Sequence, residues 1–228
     1  MISRTRKMFA LVLAAGAAAA TVVFSGGLAA RETAVSLPDP RTDQTAPGPA
    51  HEQSAVFAGG CFWGVQAVFS HLQGVREARS GYAGGHSANP SYEQVSTGTT
   101  GHAESVSVRY DPNQISYGQL LKVFLSVAHD PTQLNRQGPD VGTQYRSIIF
   151  YANDEQRIVA AAYLEQLRAA GVFARPIVTE VMPLQRFYMA EAYHQDYLAQ
   201  HPTNAYIVYN DLPKLDHLKA TFPALYRP

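Results

Sequence analysis

Alternating strand-like and helix-like segments predict an α/β or α+β domain over residues 55–228. Three observations carry that expectation. Residues 105–110 alternate, with Val106, Val108 and Tyr110 on one side and Ser105, Ser107 and Arg109 on the other, as a half-buried strand does. Residues 154–170 lie between Asn153, a residue type that caps helix starts, and Gly171, one that ends helices. Hydrophobic residues make up 46% of the chain, with 13 Tyr and 10 Phe, which supports a packed core and argues against disorder.

The elements follow in order. Residues 1–30 begin with Arg4, Arg6 and Lys7, continue as an apolar Ala-rich run over 8–24, and end in small residues (Ser25-Gly26-Gly27, then Leu28-Ala29-Ala30). That is the layout of a signal peptide, with an uncleaved membrane anchor as the alternative. Arg4-Thr5-Arg6 is not a twin-arginine pair, so the general secretory route is expected, with a periplasmic or secreted destination. Residues 31–54 are polar, carry Pro38, Pro40, Pro47 and Pro49, and are expected to be a flexible linker. A short strand is expected at Ala55–Ala58, broken by Gly59-Gly60, then a helix with Val65, Val68, Phe69 and Leu72 on one face. Gly81 to His102 shows no periodicity, and so long an irregular stretch is usually functional. Ser116 can cap a helix carrying Leu120, Leu121, Phe124 and Val127. Further strands are expected at 145–151 and 177–182, a helix at 188–199 from the spacing of Ala190, Tyr193, Tyr197 and Leu198, and a last helix near 214–221.

Charge limits the possible partners. Lys plus Arg balance Asp plus Glu at 18 each, so nothing here favours nucleic acid. The chain has one cysteine and can form no internal disulfide. Cys61 falls where a strand ends, two glycines turn the chain and a helix begins. A helix N-terminus stabilises negative charge, so a lowered thiol pKa and a reactive thiolate are expected there. Phe62 and Trp63 beside it form a wall for something small and apolar. The alternative is a buried cysteine acting as a small hydrophobe. No Gly-Lys-Ser/Thr follows the glycines, which weakens a phosphate-loop reading. His102-Ala103-Glu104 matches half of a zinc-deaminase signature, but the Cys pair of the other half is missing, so no metal is expected. Glu104 precedes an apolar strand; if buried, its carboxyl group has a raised pKa and can serve as an acid. A cysteine hydrolase pairing Cys61 with His102, His129 or His194 stays open, as does a non-enzymatic binding module.

Several motifs, in order, resemble the A-type peptide methionine sulfoxide reductases. They are Gly60-Cys61-Phe62-Trp63-Gly64, Gly81-Tyr82-Ala83-Gly84-Gly85, Asn89-Pro90-Ser91-Tyr92, Gly101-His102-Ala103-Glu104, Asp140-Val141-Gly142-Thr143-Gln144-Tyr145-Arg146-Ser147 and Ala190-Glu191-Ala192-Tyr193-His194-Gln195. The resemblance covers about residues 55–200. It implies a two-layer, ferredoxin-like fold with a mixed central sheet and an open, shallow site. It further implies Cys61 as nucleophile, Phe62 and Trp63 around the sulfoxide methyl group, Glu104 as proton donor, Tyr92 and Tyr145 as hydrogen-bond donors to the sulfoxide oxygen, and Asp140 and His194 in the substrate site. The implied product is methionine from the S epimer, leaving a sulfenic acid on Cys61. Many members carry C-terminal cysteines that resolve this acid. This chain has none and resembles the single-cysteine type, so an external reductant, a small thiol or a thioredoxin-like protein, is expected. No bound cofactor is expected. Oxidised proteins and peptides, and free methionine sulfoxide, are the expected substrates of a monomer.

Overall fold

The computed structural model describes residues 34–44 and 52–228. The expected signal segment 1–30, its cleavage point and the anchor alternative lie outside the described residues. Among the described residues no helix is long and apolar enough to cross a membrane.

The strands are β1 (Gln53–Ala58), β2 (Val75–Ala83), β3 (Ala103–Tyr110), β4 (Arg136–Gln137), β5 (Asp140–Val141), β6 (Ile148–Tyr151), β7 (Glu180–Pro183) and β8 (Phe187–Met189). The helices are α1 (Phe62–Ser70), α2 (Tyr92–Ser96), α3 (Tyr117–Val123), α4 (Asp154–Ala170), α5 (Tyr197–Gln200) and α6 (Leu212–Thr221). Six strands form one mixed sheet in the order β7-β6-β1-β3-β2-β8; β4 and β5 form a separate small ladder. β6 and β7 run parallel, and the other neighbours are antiparallel.

Strand alternation sorts the core onto two faces. Ala55, Phe57, Val106, Val108 and Ile149 join the large core with the apolar faces of α1, α3, α4 and α6. Val56, Ala58, Ala83, Ala103, Ile148 and Phe150 form a smaller cluster on the other face. The expected two-layer α/β arrangement with a mixed sheet is what the chain adopts.

Local chemistry sets the helix ends. The Asn153 side chain accepts from the Gln156 N–H, and Gly171 stops α4 at φ 60°. Ser116 and Gln119 form a reciprocal capping box at the start of α3. Past Val123 that helix continues as a wider π-helical turn, Phe124–Ala128.

Four expectations need correction. The strand expected at 145–151 is confined to Ile148–Tyr151, and Tyr145 closes a 3₁₀ turn, Thr143–Tyr145. The strand expected at 177–182 is Glu180–Pro183. Residues 188–199 are not one helix. Phe187–Met189 pair with the edge of β2, Ala192–His194 form a 3₁₀ turn, and only Tyr197–Gln200 are α-helical. Asp196 sits at φ 52°, which breaks a continuous helix just before α5. Finally, 34–44 is not a flexible linker but a strap on the domain. Leu37 is buried, Tyr163 O–H donates to the Pro38 carbonyl at 2.8 Å, and Asp43 accepts from Gly118 N–H at 2.8 Å. Strand β2 was not foreseen.

Candidate active site

Cys61 is the N-cap residue of α1, with φ −55° and ψ 124°. It follows β1 by way of a turn in which Gly60 takes φ 86°, and a Cβ there would stand 2.6 Å from the Gln137 side chain. So the strand–turn–helix placement expected of Cys61 holds. The expected thiol pKa does not. Burial pushes the Cys61 thiol well above its ordinary value, and nearby Glu104 and Asp211 add to this. The Trp63 backbone N–H and the Lys214 ammonium pull the other way without prevailing. At 8% exposure the cost of desolvating a thiolate exceeds what one helix end returns. Without substrate, the sulfur is held as a neutral thiol.

Glu104 reaches the same turn from β3. Antiparallel pairing sets Phe57 opposite Val106, so the end of β1 and the start of β3 share one end of the sheet. Glu104 is 3% exposed, and its Oε2 accepts from the Phe62 N–H at 2.9 Å. Burial raises its pKa to about 8, opposed by that N–H and assisted by Asp140 and Asp211. The carboxyl group is therefore protonated at neutral pH, as expected of a general acid.

Tyrosines surround the pair. Tyr92 opens α2, held by its N–H donating to Glu191 Oε1 at 2.9 Å. Tyr145 ends the 3₁₀ turn. Burial, then the Glu104 charge, raises the pKa of both hydroxyls, and Cys61 contributes at both, so they remain hydrogen-bond donors. Tyr206, which sequence reasoning did not assign, donates its hydroxyl to Asp140 Oδ2 and meets the Trp63 ring edge-on.

Trp63 is clamped. Its ring stacks on Tyr197 at 3.8 Å between centroids, and its indole N–H donates to His194 Nδ1 at 3.1 Å. An indole N–H can only donate, so Nδ1 accepts and the neutral ring carries its proton on Nε2. His194 is 2% exposed and packs against Phe62 and Tyr92. It sits behind the indole as a support.

On another side, Lys214 Nζ lies 3.4 Å from Asp211 Oδ1, with both side chains buried. The pair presses on α1: a Cβ at Gly64 would fall 2.1 Å from Asp211 Oδ1. Sequence reasoning assigned neither residue a role in the site.

The structure thus brings Cys61, Phe62, Trp63, Tyr92, Glu104, Asp140, Tyr145 and His194 together. The hydrogen bonds of the three histidines of the hydrolase alternative go to groups other than the Cys61 sulfur. His102 bonds the Gly85 N–H and the Ser87 carbonyl, His129 bonds the Phe124 carbonyl and the Ser147 hydroxyl, and His194 bonds Trp63. Burial also lowers the His129 pKa to about 4, which makes it a poor base.

The site is defined by a buried thiol beside a buried carboxylic acid. The family profile described as peptide methionine sulfoxide reductase matches residues 53–225. Peptide methionine sulfoxide reductase MsrA 2 of Mesorhizobium japonicum is 58% identical over 184 residues, 81% of this chain and 93% of the relative. MsrA of Thermus thermophilus is 50% identical over 177 residues, 78% and 99% of the two chains. Among solved structures, methionine sulfoxide reductase A of Corynebacterium diphtheriae is 36% identical with a TM-score of 0.57, covering 75% of this chain and 85% of that one. Mxr1 from Saccharomyces cerevisiae in reduced form is 34% identical with a TM-score of 0.60, covering 72% and 92%. The chain belongs to the peptide methionine sulfoxide reductase family.

Proposed function

We propose that this chain is an oxidoreductase that reduces methionine sulfoxide in proteins and peptides, using Cys61 as nucleophile and Glu104 as proton donor. One observation carries the assignment of roles: a buried, protonated Glu104 is bonded to the backbone of the residue that follows the only cysteine.

The sulfoxide's methyl group packs against the wall made by Trp63 and Phe62. Its oxygen receives hydrogen bonds from Glu104, Tyr92 and Tyr145, which polarise the S–O bond. Glu104 protonates the oxygen as the Cys61 sulfur attacks the sulfoxide sulfur. The thiol proton restores Glu104. The oxygen passes to Cys61, the thioether leaves as methionine, and Cys61 is left as a sulfenic acid. A neutral thiol and a neutral acid thus deliver one proton to the oxygen, and the carboxyl group ends as it began. Asp140 and Tyr206 shape the rim of the site, and His194 acts through the Trp63 indole.

The S epimer is the expected substrate, by family resemblance. One cysteine cannot resolve its own sulfenic acid, so an external thiol completes the cycle. Residues 1–30 support export from the cytoplasm; fractionation of the source cells, with N-terminal sequencing of the mature chain, tests that. For the activity, a peptide bearing resolved sulfoxide epimers is mixed with the reduced protein without added thiol. Release of one methionine equivalent per chain, from the S epimer, is expected. No methionine from either epimer refutes the proposal.

A further inference from the structure

The site already described does not account for a cavity of about 710 Å³ that Cys61 shares with Lys214. Its walls come from the Leu125–Val127 turn, the loop 129–140, the rim Phe173–Arg175, and Tyr206 to His217 of the C-terminal segment. Phe62, Trp63, Tyr92, Glu104 and Tyr145 are not among the lining residues. Asp140 and Tyr206, at the rim of the sulfoxide site, line it too, so the cavity adjoins that site and opens onto Cys61 from the side away from Phe62 and Trp63. The volume falls in the usual range for small-molecule sites.

Lys214 is the unusual feature of this space. A buried ion pair does not by itself favour folding over an apolar pair of similar shape. This pair is 3.4 Å apart and packed against the first turn of α1, its lysine is among the residues lining the cavity that holds the cysteine, and its charge is felt at the Cys61 sulfur.

We propose that this cavity receives a low-molecular-weight thiol that reduces the Cys61 sulfenic acid, with the Lys214 ammonium stabilising the reacting thiolates. The proposal rests on the sulfenic acid of the function proposed above. The cysteine is 8% exposed, so a slim molecule reaches it more readily than a cysteine on a folded surface. In the first step the incoming thiolate forms an S–S bond to Cys61 while the Cys61 S–O bond breaks, and the departing hydroxide takes a proton to leave as water. In the second step another thiolate attacks the ligand's sulfur, expels the Cys61 thiolate and departs as the small-molecule disulfide. Two thiols are oxidised and one sulfenic acid is reduced. In both steps negative sulfur faces Lys214.

The titratable and charged groups around this chemistry are Asp130, Asp140, Arg175, Tyr206, Tyr209, Lys214 and His217 lining the cavity, and Glu104, Tyr92, Tyr145 and Asp211 around Cys61. His129, from the loop after the π-helical turn, faces Lys214 as well.

The test separates the two half-reactions. Sulfenic acid is made by one turnover with the sulfoxide peptide, or with one equivalent of hydrogen peroxide, and its reduction by glutathione and by dithiothreitol is timed across pH. In Lys214→Met the thiol step should slow about tenfold at neutral pH, with partial recovery in Lys214→Arg. Ala174→Trp, which adds bulk at the cavity rim, should slow the same step. If Lys214→Met fails to fold, Asp211→Asn combined with Lys214→Met removes both charges together. Thiol rates within about twofold of wild type in both the charge-removing and the Ala174→Trp proteins would overturn the proposal. So would a loss that falls on KM for the sulfoxide, which would assign the cavity to the substrate, or reduction by a protein dithiol alone. Failure of methionine release in the wild type would instead count against the activity, and the peroxide-made acid still tests the cavity.

Discussion

Two sets of buried ionisable groups flank Cys61, and they differ in what stands beside them. Glu104 sits inside the sheet, on β3 between β1 and β2, with the Phe62 N–H bonded to one oxygen. No cation stands among the influences on its pKa, so burial keeps it protonated. Lys214 and Asp211 come from the C-terminal segment, and they lie side by side, 3.4 Å apart. The difference decides their chemistry. A carboxyl group that keeps its proton can give it away; a paired ammonium offers a fixed positive charge. The first suits an oxygen that must be protonated, and the second a sulfur that must become negative.

The largest expected effect removes what both sites serve. Cys61→Ser should lower methionine release by on the order of 10³-fold or more, measured in a single turnover. Glu104→Gln tests the acid side and should cost roughly 10²–10⁴-fold in the same step. It should also alter the pH profile. The raised pKa leaves the acid form present below about 8 and lost above it, so the wild-type rate should fall as pH rises through about 8 while the residual rate of the Gln protein does not follow that fall. Tyr145→Phe removes one donor to the oxygen and should cost about tenfold, seen in kcat rather than in KM. Gly64→Ala probes the paired side from beneath. Its Cβ would collide with Asp211, so a loss of about 1–3 kcal/mol is expected in denaturant melts, with slower thiol recycling. Smallest in activity is deletion of residues 1–44, which removes the strap around Leu37 and Pro38. It should lower Tm by several degrees while methionine release stays near wild type.

Elements whose signals are local were legible in the sequence. The caps at Ser116 and Asn153 and the stop at Gly171 act within one turn, and each works as read. Strand β2 was not legible, because Val-Arg-Glu-Ala-Arg-Ser-Gly-Tyr-Ala carries charged residues at its second, third and fifth positions and is bulged at Val75/Glu77. The helix read over 188–199 failed because pairing with the edge of β2 claims Phe187–Met189, a tertiary effect that residue spacing does not carry. At the site, the residues named from a motif, Cys61, Glu104, Tyr92, Tyr145 and Asp140, are ones the fold brings together. Tyr206 and the Asp211–Lys214 pair come from a tail whose π-helical turn, Ile207–Asp211, brings them back to Cys61, and nothing local announces that return. The thiol pKa was misread for a related reason. A helix start is visible in sequence, whereas the burial that outweighs it, and the carboxyl groups that add to it, are assembled by the fold.

The most direct test of the division of labour around Cys61 is single-turnover methionine release from the S epimer, without thiol, followed across pH in wild type and Glu104→Gln. Expected is one equivalent per chain, at a rate that falls through about pH 8 in the wild type and is low and free of that fall in the variant. A Glu104→Gln protein as fast as the wild type at neutral pH, with the same pH profile, would contradict a proton supplied by Glu104.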